Sequence, residues 1–264
     1  MCAAAAWPLS ARAQPKPMPV VGILDPDVTF IFDAFVEGMR DLGYVEGRNI
    51  AYVRKVLHGN FAALPALAAE LVDQKVKVVV TVSPPLIHAV ELASNTMPIV
   101  MLASADPVLA GFVNSFAHPG GNITGLSFVD EELAAKRLDL LRELVPNLRD
   151  VAVFWWGSPN GQGLAATGKA GHALGLQLHR WELANVDAFE PAFQQAAAAK
   201  MDGAYALSYP FFNANRRRFA ELAAKYRLPA VYESADYVRS GCLMGYGPVF
   251  TDMGAAGPIS LTEF

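Results

Sequence analysis

Residues 76–82 read Val76-Lys77-Val78-Val79-Val80-Thr81-Val82, and Ser83-Pro84-Pro85 leads at once into Leu86-Ile87-His88-Ala89-Val90. A β-branched apolar run of this length, closed by a polar residue and prolines, predicts a buried strand that feeds a helix starting at Pro84. The Ala/Leu-rich stretch Phe61–Gln74 predicts a helix just before it. Helix, buried strand, helix is the repeating part of a β-α-β unit, and such units build parallel sheets.

Working outward, the same alternation covers the chain. On the N-terminal side, Val20–Leu24 reads as a strand and Phe30–Leu42 as a helix with Phe32, Phe35, Val36 and Met39 on one face, stopped at Gly43. Asn49–Val53 reads as a strand. On the C-terminal side, Pro98–Leu102 reads as a strand and Val108–Phe116 as a short helix before the turn Pro119-Gly120-Gly121-Asn122. A second series is then expected to open with a strand at Ile123–Ser127. Its helix Glu131–Leu144 carries Leu133, Arg137, Leu140, Leu141 and Leu144 at helical spacing. Strands at Val151–Trp155, Leu176–Trp181, Gly203–Leu207 and Pro229–Tyr232 follow, separated by helices near 163–174, 186–199 and 213–226. The expectation is an α/β chain of two Rossmann-like lobes with parallel sheets, residues 18–124 and 125–242, hinged near Gly120–Ser127. A second crossing near Cys242–Pro248 would return residues 243–264 to the first lobe.

The 264 residues suffice for two lobes, and 53% hydrophobic against 17% charged residues places the chain among well-cored proteins. No apolar run is long enough for a bilayer span, so membrane insertion is not expected. A formal charge of -4 leaves no basic surplus for phosphate neutralisation, which argues against nucleic acid. The cluster Arg216-Arg217-Arg218 reads as a solvated helix face. Residues 3–13 end in Ala11-Arg12-Ala13, the small-residue pattern of an export-signal cleavage site, and residues 1–13 are expected to be a signal-peptide remnant. Cys2 and Cys242 form no framework, and the scattered histidines, the absent Cys-x-x-Cys and the absent Gly-x-Gly-x-x-Gly offer no metal or cofactor site. No nucleophile and base stand at a recognisable spacing, so nothing nominates a reaction.

Open parallel sheets bind ligands beyond the carboxyl ends of their strands. In the first half those loops are Asp25-Pro26-Asp27, Thr81–Pro84 and Ala103–Pro107, small and polar. Ser83 and Ser104 each precede a helix, where hydroxyls and free N–H groups suit a carboxylate; plain capping by Ser83 and Asp106 suits the same residues. In the second half the loops are Trp155–Asn160, Ser208–Phe212 and Tyr232–Ser234, aromatic as well as polar, with Glu233 the carboxylate able to meet an ammonium group. Core packing accounts equally well for Trp155, Phe212 and Tyr232.

Six stretches resemble the ABC-transporter substrate-binding family that includes tryptophan- and tyrosine-binding members. They are MPVVGIL at 18–24, GMRDLGYVEGRNI at 38–50, LPALAAELV at 64–72, ADPV at 105–108, PGGNITG at 119–125 and ELAAKRLDLLRELVP at 132–146. The resemblance implies a type I periplasmic-binding-protein fold, a periplasmic monomer holding a small-molecule ligand between two lobes, and an ABC permease and ATPase as partners. It carries the site onto Asp25, Ser83, Ser104 and Asp106 in the first lobe, and Ser158, Asn160, Tyr209, Glu233 and Tyr246 facing them. Ser83 and Glu233 would take the carboxylate and amine ends of an amino acid; an aromatic acid is the other ligand class. Beyond Gly245–Pro248 the sequence departs from the family, and the last part of the first lobe is expected to be missing. A ligand sensor of the same fold, or a truncated copy without function, is the alternative.

Overall fold

The computed structural model describes residues 18–156 and 162–260. The signal-like segment and the last four residues lie outside that range. β1 (Val20–Asp25), α1 (Thr29–Asp41), β2 (Ala51–Val56), α2 (Leu64–Asp73), β3 (Val78–Thr81), α3 (Pro84–Ala93), β4 (Ile99–Ala105) and β5 (Ile123–Phe128) form the first lobe. Its sheet is parallel in the order β2-β1-β3-β4-β5. The second lobe contains α4 (Asp130–Leu144), β6 (Asp150–Trp155), α5 (Gln162–Ala173), β7 (Gln177–Glu182), α6 (Phe189–Ala198), β8 (Gly203–Ala206), α7 (Pro210–Ala214), α8 (Arg216–Lys225), β9 (Ala230–Tyr232), α9 (Ala235–Arg239) and β10 (Met244–Gly245). Its parallel sheet runs β7-β6-β8-β9-β10, the same order as the first counted from its own strands.

In the first lobe Ala68, Leu71, Leu86 and Val90 pack on one face of the sheet, against Val79, Ile99 and Met101. Phe32, Phe35 and Phe250 pack on the other, against Ile23, Val80 and Leu102. Helices on both faces explain why β1 and β3 read as continuous apolar runs rather than alternating ones. In the second lobe the core is ringed: Phe219 meets Phe154, Phe189, Phe193 and Phe212 at centroid distances of 4.6–5.8 Å.

Four expectations change. β5 does not open the second sheet; it pairs with β4 from Ile99↔Ile123 to Ala105↔Phe128 and is the edge of the first. The first crossing therefore falls at Val129, beyond the boundary expected at 124. Residues 108–116 make turns instead of a helix. Ala110 N–H donates to the Asp106 carbonyl at 2.9 Å, but Gly111 at φ +82° ends the coil after one turn. The stretch at 213–226 is broken at Asn215 into α7 and α8. Finally, the return segment forms a helix, α10 (Phe250–Ser260), seated on α1, β4 and β5. Its glycines permit the close approach: a Cβ on Gly254 would stand 2.3 Å from the Ile31 carbonyl oxygen, and one on Gly257 2.2 Å from the Leu102 side chain. Among the described residues no helix is long and apolar enough to cross a membrane.

Candidate ligand-binding site

The carboxyl ends of both sheets converge on one cavity of about 60 Å³, narrow beside small-molecule sites of roughly 300–1,000 Å³. The first lobe contributes Val28 and Ile31 after β1, Val82, Ser83 and Pro84 after β3, Ala103 and Ala105 of β4, Phe128 of β5 and Phe250 of α10. The second contributes Ser208, Tyr209, Pro210 and Asn213 after β8 and Glu233 after β9. The lobes touch beside it: Phe61 lies 4.3 Å from Trp156 between ring centroids, and the Arg216 guanidinium sits 4.6 Å over the Phe30 ring. Arg216 thus leaves the solvated face expected for it, while Arg217 and Arg218 are exposed.

The second-lobe wall is a polar network centred on Glu233, which is 4% exposed. The Ser208 hydroxyl donates to Oε2 in a short contact, the Tyr237 hydroxyl donates to Oε1 at 3.1 Å, and the Asn213 amide donates to Oε1 at 3.4 Å. Burial pushes the Glu233 carboxyl up to about 7, opposed by the Ser208 hydrogen bond and the charge of Arg137. The Asn213 Oδ1 atom is buried with no partner among the described residues. Tyr209 stands edge-on to Trp156 at 6.2 Å, and burial raises the pKa of its hydroxyl.

The first-lobe wall is apolar except at Ser83. That residue sits at φ +59°, its N–H committed to the Ala103 carbonyl at 3.0 Å, and its buried Oγ has no partner among the described residues. It stands at the N-cap position of α3 but its side chain makes no capping bond. Pro84 and Pro85 occupy the first two helical positions and bring no N–H, so the positive helix end expected to help hold a carboxylate is short of donors. Among the described residues lining the cavity, Glu233 brings the one carboxyl group.

Of the residues singled out from sequence, Ser83, Tyr209 and Glu233 line this cavity. Asp25 does not. It is fully buried in the first lobe, where its Oδ2 accepts from Arg54 Nη2 at 2.8 Å and Nε at 3.1 Å and its Oδ1 from the Val28 N–H at 2.8 Å. It fixes the loop that delivers Val28, at one remove from the cavity. Ser104 is buried between Ala103 and Ala105 without lining the cavity, because alternate residues of a strand face opposite ways. Asp106 lies outside the lining, its N–H on the Phe128 carbonyl at 3.1 Å. Tyr246 is 40% exposed and enters through its backbone, the N–H bonded to the Tyr232 carbonyl and the carbonyl to Arg137. Ser158 and Asn160 lie outside the described residues. Sequence reasoning passed over Asn213, Phe128 and Phe250. Asn213 follows Ser208-Tyr209-Pro210 in a loop already marked as a strand end, so the signal was present one helical turn away.

The family model for ABC transporter substrate binding proteins matches residues 20–259. The tyrosine-binding protein of Clostridioides difficile strain R20291 is 31% identical over 121 residues, which is 46% of this chain and only 34% of that protein. The crystal structure of a conserved domain protein from Vibrio cholerae superposes with a TM-score of 0.83 at 23% identity, covering 94% of this chain and 84% of that one. The ABC domain in complex with L-Trp from Streptococcus pneumonia superposes at 0.82 and 18% identity, covering 93% and 84%. At such identities the two structures speak to the fold: two parallel five-stranded sheets in the periplasmic-binding-protein arrangement. With the family model spanning both sheets and the return helix, this chain belongs to the ABC transporter substrate-binding protein family.

Proposed function

We propose that this chain is the solute-binding component of an ABC importer. It works in the periplasm, takes one small organic molecule, an amino acid or an aromatic acid, between its lobes, and hands it to a membrane permease with its ATPase. The observation that carries this reading is the pair of buried, unpartnered polar atoms on opposite walls of one cavity, Ser83 Oγ and Asn213 Oδ1, beside the Glu233 carboxyl. Leaving such atoms without a hydrogen bond costs about 1–3 kcal/mol each, a cost that a bound polar solute removes. Tyr209 and Phe128 offer rings to an aromatic body. The similarity to a tyrosine-binding protein and to an L-Trp complex supports the same ligand class.

Thermal unfolding with a panel of amino acids, aromatic acids and sugars tests it. A compound at a hundred times its dissociation constant stabilises the clamp by about 2.7 kcal/mol, a shift of several degrees for a chain this long. A selective shift is expected. A cooperative transition that no member of the panel moves would count against solute binding of this class.

A further inference from the structure

Arg137 lies in the middle of α4, fully buried, on the apolar stripe of its helix. Its guanidinium is shared among four partners, one at the start of its own helix and three distant in sequence. Nη1 donates to Asp130 Oδ1 at 2.8 Å and to the Tyr205 hydroxyl at 3.1 Å. Nε donates to the Tyr246 carbonyl at 2.7 Å, and Nη2 to the Glu233 carbonyl at 3.3 Å. Asp130 stands two residues past the end of β5, just after the first crossing between the lobes, and Tyr246 begins the return crossing. The neighbouring Gly247 has φ +149°, and a Cβ there would lie 2.0 Å from the Glu233 carbonyl oxygen and 2.9 Å from Arg137 Nη2. The return crossing is therefore wrapped directly against both residues.

A buried guanidinium is a costly way to fill a core, since well-packed apolar side chains of similar volume usually serve stability as well or better. We propose that Arg137 is a positioning residue for the ligand site, tying both crossings between the lobes to the backbone of Glu233 so that lobe movement and the Glu233 carboxylate are coupled. The proposal rests on the reading of the cavity as the ligand site. Lobe opening rotates the backbone at the crossings. Asp130 and Tyr246 then change their place relative to Arg137, and the field at Glu233 changes with them. The groups facing that carboxylate are Ser208 and Asn213 after β8, Tyr237 of α9, and Arg137 with Asp130 from α4. Ser83 and Tyr209 share its cavity, and Tyr205, Tyr232 and Cys242 stand behind Arg137 and Tyr237. Arg137 favours the ionised carboxylate and Asp130 opposes it.

The test is a carbon-13 NMR titration of the Glu233 side-chain carboxyl in the whole, ligand-free chain. Arg137→Met is expected to move its midpoint up. Asp130→Asn, which keeps the oxygen that accepts from Arg137 but removes the charge, is expected to move it down. A residue that merely props the fold would shift both variants the same way or neither, and either result overturns the proposal. If Arg137→Met does not fold, Asp130→Asn alone decides: a midpoint that stays or rises refutes the coupling. The titration needs no ligand, so its failure leaves the importer reading standing. Opposite shifts in a chain that binds nothing would sink the importer reading instead.

Discussion

The two lobes repeat one strand order, yet their faces of the cavity are chemically unlike. The first-lobe wall is Val28, Ile31, Val82, Ala103 and Phe128 with the Ser83 hydroxyl; the second-lobe wall presents Glu233, Asn213 and Ser208 in one network, with Tyr209 beside it. The cores differ in the same sense. The first lobe is filled largely by Val, Ile and Leu, whereas the second is built around a cluster of phenylalanines. A repeated architecture thus carries two chemistries: one lobe lines the cavity with mostly apolar side chains, the other with most of its polar ones. The difference arises at strand ends, where a change of loop residue leaves the sheet intact.

The largest effect is expected in the core of the second lobe. Phe219→Ala removes the ring that meets four other phenylalanines and should cost about 3–5 kcal/mol in denaturant unfolding. A loss below 1 kcal/mol would mean the ring cluster does not hold the lobe. Glu233 gives the second lobe a pH dependence. The folded chain holds the Glu233 proton up to about pH 7, whereas the unfolded chain releases it near 4.5. Between those values the folded state binds the more protons, so the stability this residue contributes is fully present below 4.5 and falls as pH rises to 7. The loss is on the order of 3 kcal/mol, and Glu233→Gln should remove that slope from a series of unfolding curves. An unchanged slope would contradict the burial argument.

Smaller effects follow at Gly247 and Ser83. Gly247→Ala places a methyl against the Glu233 carbonyl at φ +149° and should cost more than about 1 kcal/mol. Ser83→Ala removes a hydroxyl without a partner, so ligand-free stability should rise slightly or stay within about 1 kcal/mol. The same variant should lose much of any ligand-induced shift. A large ligand-free loss would show that Ser83 is structural and not part of the recognition surface.

Much of the fold was legible because parallel strands buried on both faces leave continuous apolar runs, as at Val78–Thr81 and Val151–Trp155. The rule that ligands bind at strand carboxyl ends pointed to the loops of Ser83, Tyr209 and Glu233, which line the cavity. Facing was not legible: a shift of one residue turns a strand side chain away, and Ser104 shows the consequence beside two alanines that do line the cavity. Neither was sheet membership, since β5 joins β4 through contacts that local pattern does not encode. The helix α10 was hidden by its glycines and Pro258, which carry no amphipathic period and make sense only once the helix is seen pressed on α1. Arg137 was visible as a cation inside an apolar stripe, but its partners at 130, 205, 233 and 246 come together only in the fold.

A solute held in the cavity proposed as the ligand site must touch both lobes at once. Hydrogen–deuterium exchange of the whole chain, with and without the compound that gives the largest thermal shift, tests it most directly. Added protection is expected in two separate segments, around Val82–Leu86 in the first lobe and around Ser208–Asn213 in the second. Protection confined to one lobe, or appearing away from both strand ends, would contradict it.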